Sequence, residues 1–178
     1  ELLLADWFSI QKTDLPNDLD TIVYMLSADD YSQASYQRAY PDGVRHLLTL
    51  IKELELRRLI YVSSTGVYQE EGGAWVDEST QIEPHTFSQK ALLEAENLIL
   101  ASSFDTAIVR LGGIYGPGRA KLLEEILSKT KRLNAKDFYS NRIYQSDAVN
   151  ILLHLMTLSK GIGLVNGVDT QPSPMNEI

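Results

Sequence analysis

What most constrains the fold of this chain is a rhythm. Short apolar, β-branched runs alternate with longer stretches whose apolar residues recur at helical spacing. Thr21-Ile22-Val23-Tyr24-Met25-Leu26 reads as a strand covered on both faces, because it is apolar throughout rather than alternating. After the polar Ser27-Ala28-Asp29-Asp30, a helix is expected to run to about Leu54, with Val44, Leu47, Leu48, Ile51 and Leu54 on one face. Leu59-Ile60-Tyr61-Val62-Ser63 is a second buried strand, opening into a Gly- and acid-rich loop over 66–83. Pro84 introduces a helix that buries Ala91, Leu92, Ala95, Leu98 and Ile99. Thr106-Ala107-Ile108-Val109-Arg110-Leu111 is a third strand, ending in Gly112-Gly113. Leu122, Leu123, Ile126 and Leu127 mark another helix, and Val149, Leu152, Leu153 and Met156 one more. Leu164-Val165 reads as a short late strand. Strands alternating with helices of this length form βαβ units, so the class is α/β with a parallel sheet flanked by helices.

Composition narrows the function. A length of 178 residues allows one domain with room for a small appendage. No apolar run approaches the roughly 20 residues that cross a bilayer. Net charge is −8, from 24 acidic and 16 basic residues, which repels phosphate backbones and works against nucleic acid as a partner. Cysteine is absent, so disulfides, thiolate metal sites and a cysteine nucleophile are excluded. His46, His85 and His154 are scattered, and no metal site is expected. The chain opens on Glu1-Leu2-Leu3-Leu4, without Met and without a signal peptide, so Glu1 is not expected to be the natural start.

In open parallel sheets ligands bind beyond the carboxyl ends of the strands. Three such ends carry suggestive residues: Ser27-Ala28-Asp29, Ser63-Ser64-Thr65-Gly66, and Gly112-Gly113-Ile114-Tyr115-Gly116-Pro117-Gly118. The hydroxyl cluster can hold a substrate carbonyl or alcohol; equally, it can cap a turn. Lys90 and Thr86, four residues apart, can share a helix face, although an exposed lysine is the plainer alternative. The glycine run permits close approach of a ligand or a tight turn. Gly161-Ile162-Gly163 begins like a dinucleotide fingerprint but follows a helix and precedes a strand, the reverse of what that fingerprint needs. Glu70, Glu71, Asp77 and Glu78 read as a solvated loop, since their spacing is unlike a calcium loop.

Tyr61-Val62-Ser63-Ser64-Thr65-Gly66-Val67-Tyr68 resembles the extended short-chain dehydrogenases/reductases, the NAD-dependent epimerase/dehydratase family. Further landmarks follow in that family's order: Trp75-Val76-Asp77-Glu78, Pro84, Glu94-Ala95-Glu96, Arg110-Leu111-Gly112-Gly113-Ile114-Tyr115-Gly116-Pro117-Gly118-Arg119, Asn141-Arg142-Ile143-Tyr144-Gln145-Ser146-Asp147, and Asn166-Gly167-Val168-Asp169. The resemblance spans about 20–178.

The resemblance implies that Ser64 polarises the reacting oxygen. It places Lys90 as the lysine that holds the nicotinamide ribose and tunes a tyrosine four residues earlier. Thr86 stands at that tyrosine's position, so the chain resembles an atypical branch. The resemblance implies NAD or NADP as cofactor, touched by Ser27, Ala28, Ser63, Lys90, Gly113 and Ile114. A small sugar-nucleotide-like substrate would meet Tyr68, Arg119, Arg142 and Tyr144. Guanidinium suits phosphate bidentately, although either arginine can equally form a surface salt bridge. The family's glycine-rich first βαβ unit is missing from this sequence, and Leu2-Leu3-Leu4-Ala5-Asp6 is expected to be what is left of its third strand. The resemblance implies a Rossmann-like parallel sheet flanked by helices, with residues 1–118 as a partial Rossmann-like nucleotide-binding domain and 119–178 as the substrate-binding region with a returning strand or helix of the core. A cytoplasmic enzyme is implied, with no membrane or nucleic-acid partner. A homodimer through the helices at 36–54 and 87–100 is implied as well. The alternative is a non-catalytic dinucleotide or metabolite sensor of the same fold.

Overall fold

The computed structural model describes residues 3–68, 73–119, 128 and 139–174. Four strands form one parallel sheet in the order β1 (Thr21–Tyr24), β2 (Arg58–Ser64), β3 (Thr106–Leu111) and β7 (Gly163–Gly167). Tyr24 pairs with Tyr61, Ser64 with Leu111, and Leu111 with Gly167, so all four carboxyl ends lie along one edge.

Side chains of a strand alternate between faces, and the core divides accordingly. Tyr24, Leu59, Tyr61 and Ile108 pack with α2 (Gly43–Ile51) and α3 (Phe87–Leu100). Ile60, Ala107, Val109 and Leu111 pack with Ala148 and Leu155 of α4 (Gln145–Thr157). Each fully buried Leu or Ile contributes roughly 1.5–3 kcal/mol. Arg58 ties α4 down from within. It is completely buried and donates to Leu155 O (2.6 Å), Leu158 O (3.0 Å) and Asp105 Oδ2 (3.0 Å).

The helix expected to run to Leu54 is broken into α1 (Gln33–Gln37), a π turn (Arg38–Asp42) and α2, which ends at Ile51. Pro41 sits inside the π turn, since a proline lacks the N–H that a regular helix needs. The helix expected from Leu122, Leu123, Ile126 and Leu127 lies outside the described residues.

Leu3-Leu4-Ala5-Asp6 joins no strand among the described residues, which corrects the expected remnant. Leu4 is 95% exposed, and the segment turns instead into short 3-10 turns at Trp7–Ser9 and Lys12–Asp14. Trp7 fastens it over α2: its ring packs on Tyr24 and His46, and its Nε1 donates to Gly43 O (3.2 Å). Two further pairings were not foreseen. β4 (Gly113–Tyr115) runs parallel with β6 (Arg142–Tyr144), and β5 (Tyr139–Ser140) antiparallel with β8 (Ser173–Pro174).

Candidate active site at the carboxyl edge of the sheet

Ser64 ends β2, the strand between β1 and β3. Its Oγ accepts from Gly66 N at 3.0 Å, which caps the 3-10 turn Thr65–Val67, and the half-exposed hydroxyl keeps its own proton to donate. Ser27 is exposed beyond the neighbouring β1, while the backbone of Ala28 is hydrogen-bonded to the Tyr40 hydroxyl. Met25 and Leu26, between β1 and Ser27, are 63% and 37% exposed.

Ser63 faces away from this edge. It is buried, and its Oγ donates to Glu96 Oε1 at 2.6 Å. Its hydroxyl therefore belongs to an interior network rather than to a cofactor surface. The same carboxylate accepts from Arg110 Nε (3.0 Å) and Nη2 (2.7 Å). Burial pulls the Arg110 pKa down, but the hydrogen bonds and charge of Glu96, with help from Tyr68, outweigh it and hold the guanidinium charged. Arg110 Nη1 reaches Tyr68 Oη at 2.9 Å. The Tyr68 proton is shared between Asp77 O and Asn166 Oδ1, each at 3.0 Å. Asn166 N in turn donates to Glu78 Oε1 at 2.6 Å. Tyr68 is thus a strut between the described part of the 66–83 loop and β7, with its hydroxyl fully engaged.

Thr86 is the N-cap of α3. Its Oγ1 accepts from Gln89 N, and Gln89 reaches back, closing a capping box. Lys90 is exposed. At about 100° per residue, it lies roughly 180° from the centre of the buried stripe Ala91, Leu92, Ala95, Glu96 and Ile99. It lines an outer groove with Pro84, Leu93, Glu94 and Asn97. It therefore points away from the sheet-facing side of α3.

The glycine run is largely strand. Gly113 N donates to Asn141 O (3.0 Å), and Ile114 packs against the α4-side core, so neither is presented as a bare loop. A Cβ on Gly112 would lie 2.9 Å from Asn141 O, which explains a glycine there. Arg142 lies over Gly113 and is half-buried. Tyr144 caps α4 and meets Tyr115 edge-on at 5.3 Å. Burial pushes the Tyr115 phenol up, and Asp169 adds to this by charge and hydrogen bond. A cavity of about 560 Å³ nearby is lined by Asp147, Ile151, Val168 and Asp169, among others. Carboxylates on its wall do not favour phosphate there. Arg119 is exposed, next to residues outside the description.

Ser64, Ser27 and Gly113 thus lie at or just beyond the carboxyl ends of neighbouring strands, and α3 packs against the turn that follows Ser64, while Ser63 is buried and Lys90 is exposed on the outer face of α3. Sequence reasoning missed Glu96 and Arg110. The signal was present: an arginine inside the apolar run Ala107-Ile108-Val109-Arg110-Leu111, and an acid on the apolar face of α3.

A parallel sheet with helices on both faces is a Rossmann-like α/β fold. Residues 13–151 match the 3-beta hydroxysteroid dehydrogenase/isomerase family, and the chain belongs to it. No curated protein matches significantly. Among solved structures, the chain is similar to a Methylobacillus flagellatus protein assigned as an NAD-dependent epimerase/dehydratase. That match has 31% identity, a TM-score of 0.72 and coverage of 89% of this chain and 56% of that one. It is also similar to the UDP-glucuronic acid 4-epimerase of Bacillus cereus in complex with NAD, at 19% identity and TM-score 0.80, covering 96% and 60%. RMD from Pseudomonas aeruginosa, complexed with NADPH, matches at 16% identity and TM-score 0.77, covering 98% and 69%. The chain spans 56% and 60% of the length of the first two.

Proposed function

We propose that the protein is an NAD(P)-dependent oxidoreductase or isomerase of the epimerase/dehydratase type, acting on a sugar nucleotide or similar small substrate. The observation that carries this is the half-exposed Ser64 hydroxyl at the carboxyl end of an inner strand of a parallel sheet. The residues present suit the nicotinamide end of a dinucleotide: exposed Met25 and Leu26 offer apolar contact to a flat ring, and Ser27 adds a hydroxyl beside it. No glycine-rich strand-to-helix turn for the pyrophosphate occurs among the described residues. The bound dinucleotide would supply the hydride acceptor, and Ser64 would hold the reacting oxygen. In this reading residues 1–118 are the nucleotide-binding part, while 119–178 carry the substrate region, with Arg142, Tyr144 and Arg119 as its contacts, and also return α4 and β7 to the core. The outer faces of α2 and α3, joined by the Arg45–Glu94 ion pair, would form a homodimer seam.

A second reading, a non-catalytic dinucleotide or metabolite sensor, is favoured by the capped Thr86 and the outward Lys90. Calorimetry with NAD and NADP tests both. Binding accompanied by Ser64-dependent turnover supports the enzyme, and binding without turnover supports the sensor. Absence of binding at millimolar concentration contradicts the enzyme and the dinucleotide sensor alike.

A further inference from the structure

We infer that the buried Glu96–Arg110 pair is a clamp that positions the Ser64 turn, an inference that rests on the oxidoreductase reading above. The pair grips the chain on both sides of Ser64. Before it, Ser63 Oγ donates to Glu96 Oε1 at 2.6 Å. After it, Arg110 Nη1 donates to Tyr68 Oη at 2.9 Å. Between the two grips the backbone makes the 3-10 turn Thr65–Val67, with Ser64 as its N-cap and Tyr68 as its C-cap.

Each grip fixes something that the turn alone does not. Side chains alternate across a strand, so holding Ser63 towards Glu96 of α3 turns Ser64 to the opposite face. The turn closes through Gly66 N to Ser64 Oγ (3.0 Å) and Tyr68 N to Thr65 O (3.1 Å), and Gly66 is exposed. Val67 is buried beneath it, but apolar contact is non-directional and does not set the rotation of the turn. Tyr68 does set it. Its ring centroid lies 5.0 Å from the Arg110 ζ carbon, and its hydroxyl bonds to Arg110, Asp77 O and Asn166 Oδ1.

One ion pair makes both grips. Arg110 lies beside Ser63 in the β2–β3 register. Its Nε and Nη2 meet Glu96 at 3.0 and 2.7 Å, and Nη1 goes to Tyr68. The planar fork of a guanidinium serves the carboxylate and the phenol together, which the point charge of an ammonium does not. Both residues are buried, so neither meets a ligand. They are positioning residues that act through Ser63 and Tyr68. Because Ser64 Oγ accepts from Gly66 N, the placing of this turn sets the direction in which the hydroxyl offers its proton to a substrate oxygen.

The test joins amide hydrogen exchange, read by nuclear magnetic resonance, with kinetics on NAD and UDP-glucuronic acid as probes. Arg110→Lys keeps a positive charge beside Glu96 and removes the bond from Nη1. Tyr68→Phe removes the same bond from the other side and keeps the ring, and Ser63→Ala releases the first grip. In all three, exchange at the Gly66 and Tyr68 amides is expected to quicken at least about tenfold more than at Ile108 in the core of β3, since the loosening is local. In NAD-linked turnover, Tyr68→Phe and Arg110→Lys are expected to lower kcat about 10²-fold with KM within about threefold, the mark of a misplaced group rather than lost binding. Gly66 and Tyr68 amides that quicken only in step with Ile108, or an unchanged kcat in both variants, overturn the clamp alone. Absence of NAD binding and of turnover in the unaltered protein overturns the oxidoreductase reading and takes this inference with it.

Discussion

Replacing Glu96 by Ala should cost about 4 kcal/mol, and the figure follows from what the carboxylate holds. Glu96 is 2% exposed and accepts from Ser63 Oγ, Arg110 Nε and Arg110 Nη2. Without it, the buried Arg110 guanidinium loses both hydrogen bonds to the carboxylate and keeps its contact with the Tyr68 hydroxyl, and Ser63 loses the acceptor of its buried hydroxyl. Breaking a buried pair from one side costs roughly 3–5 kcal/mol, because an uncompensated charge stays in the interior. Folding free energies are about 5–15 kcal/mol, so the variant would be marginal but measurable. In urea, with a slope of about 2 kcal/mol/M, the midpoint should fall by about 2 M, followed by circular dichroism. The double variant Glu96→Leu/Arg110→Met removes both charges and should recover at least half of the loss. A single-variant loss below about 1 kcal/mol, or a double variant no more stable than Glu96→Ala, would refute the argument that this network is a buried, mutually compensated ion pair.

Other changes have equally definite outcomes. Gly112→Ala drives a Cβ to 2.9 Å from the Asn141 carbonyl oxygen, so it should separate β4 from β6 and cost about 1–3 kcal/mol by thermal unfolding. Lys90→Ala should leave NAD affinity and stability within about twofold and 0.5 kcal/mol, since the side chain is exposed on the outer face of α3. Burial holds the Tyr24 and Tyr61 phenols well above their usual range, with Tyr40 and Glu96 adding to the effect. Their folded-state pKa values exceed the unfolded value of about 10, so their contribution is intact below pH 10 and is lost as pH rises beyond it. Chemical denaturation at pH 9 and pH 11 should therefore show stability falling across that interval.

The sheet was legible because its signals are local. β3 runs over Thr106–Leu111 as its apolar pattern predicts, and β2 departs by one residue at each end. Pro41 was visible in the sequence, yet whether it ends a helix or is absorbed in a π turn depends on the packing of Ala39 and Val44 around it. β4 and β6 were not legible, because a three-residue strand carries little pattern and its partner lies almost thirty residues away. The position of Ser64 at a strand end was legible from the apolar run that precedes it. The side of the helix that Lys90 occupies was not legible, because a spacing of four says that two residues share a face, but not which face. The stripe Leu92, Ala95, Glu96 and Ile99 decides that, and it sends Lys90 outward. The Glu96–Arg110 pair remained hidden because each residue looks like an ordinary surface charge until the other is placed opposite it.

A crystal structure of the protein with NAD and UDP-glucuronic acid would test the proposed site most directly. The expected result is a nicotinamide ring against Met25 and Leu26, a substrate oxygen within hydrogen-bond reach of Ser64 Oγ, and Lys90 touching neither ligand. Ligands seated instead between α4 and the segment after β7, or a ribose held by Lys90, would contradict it.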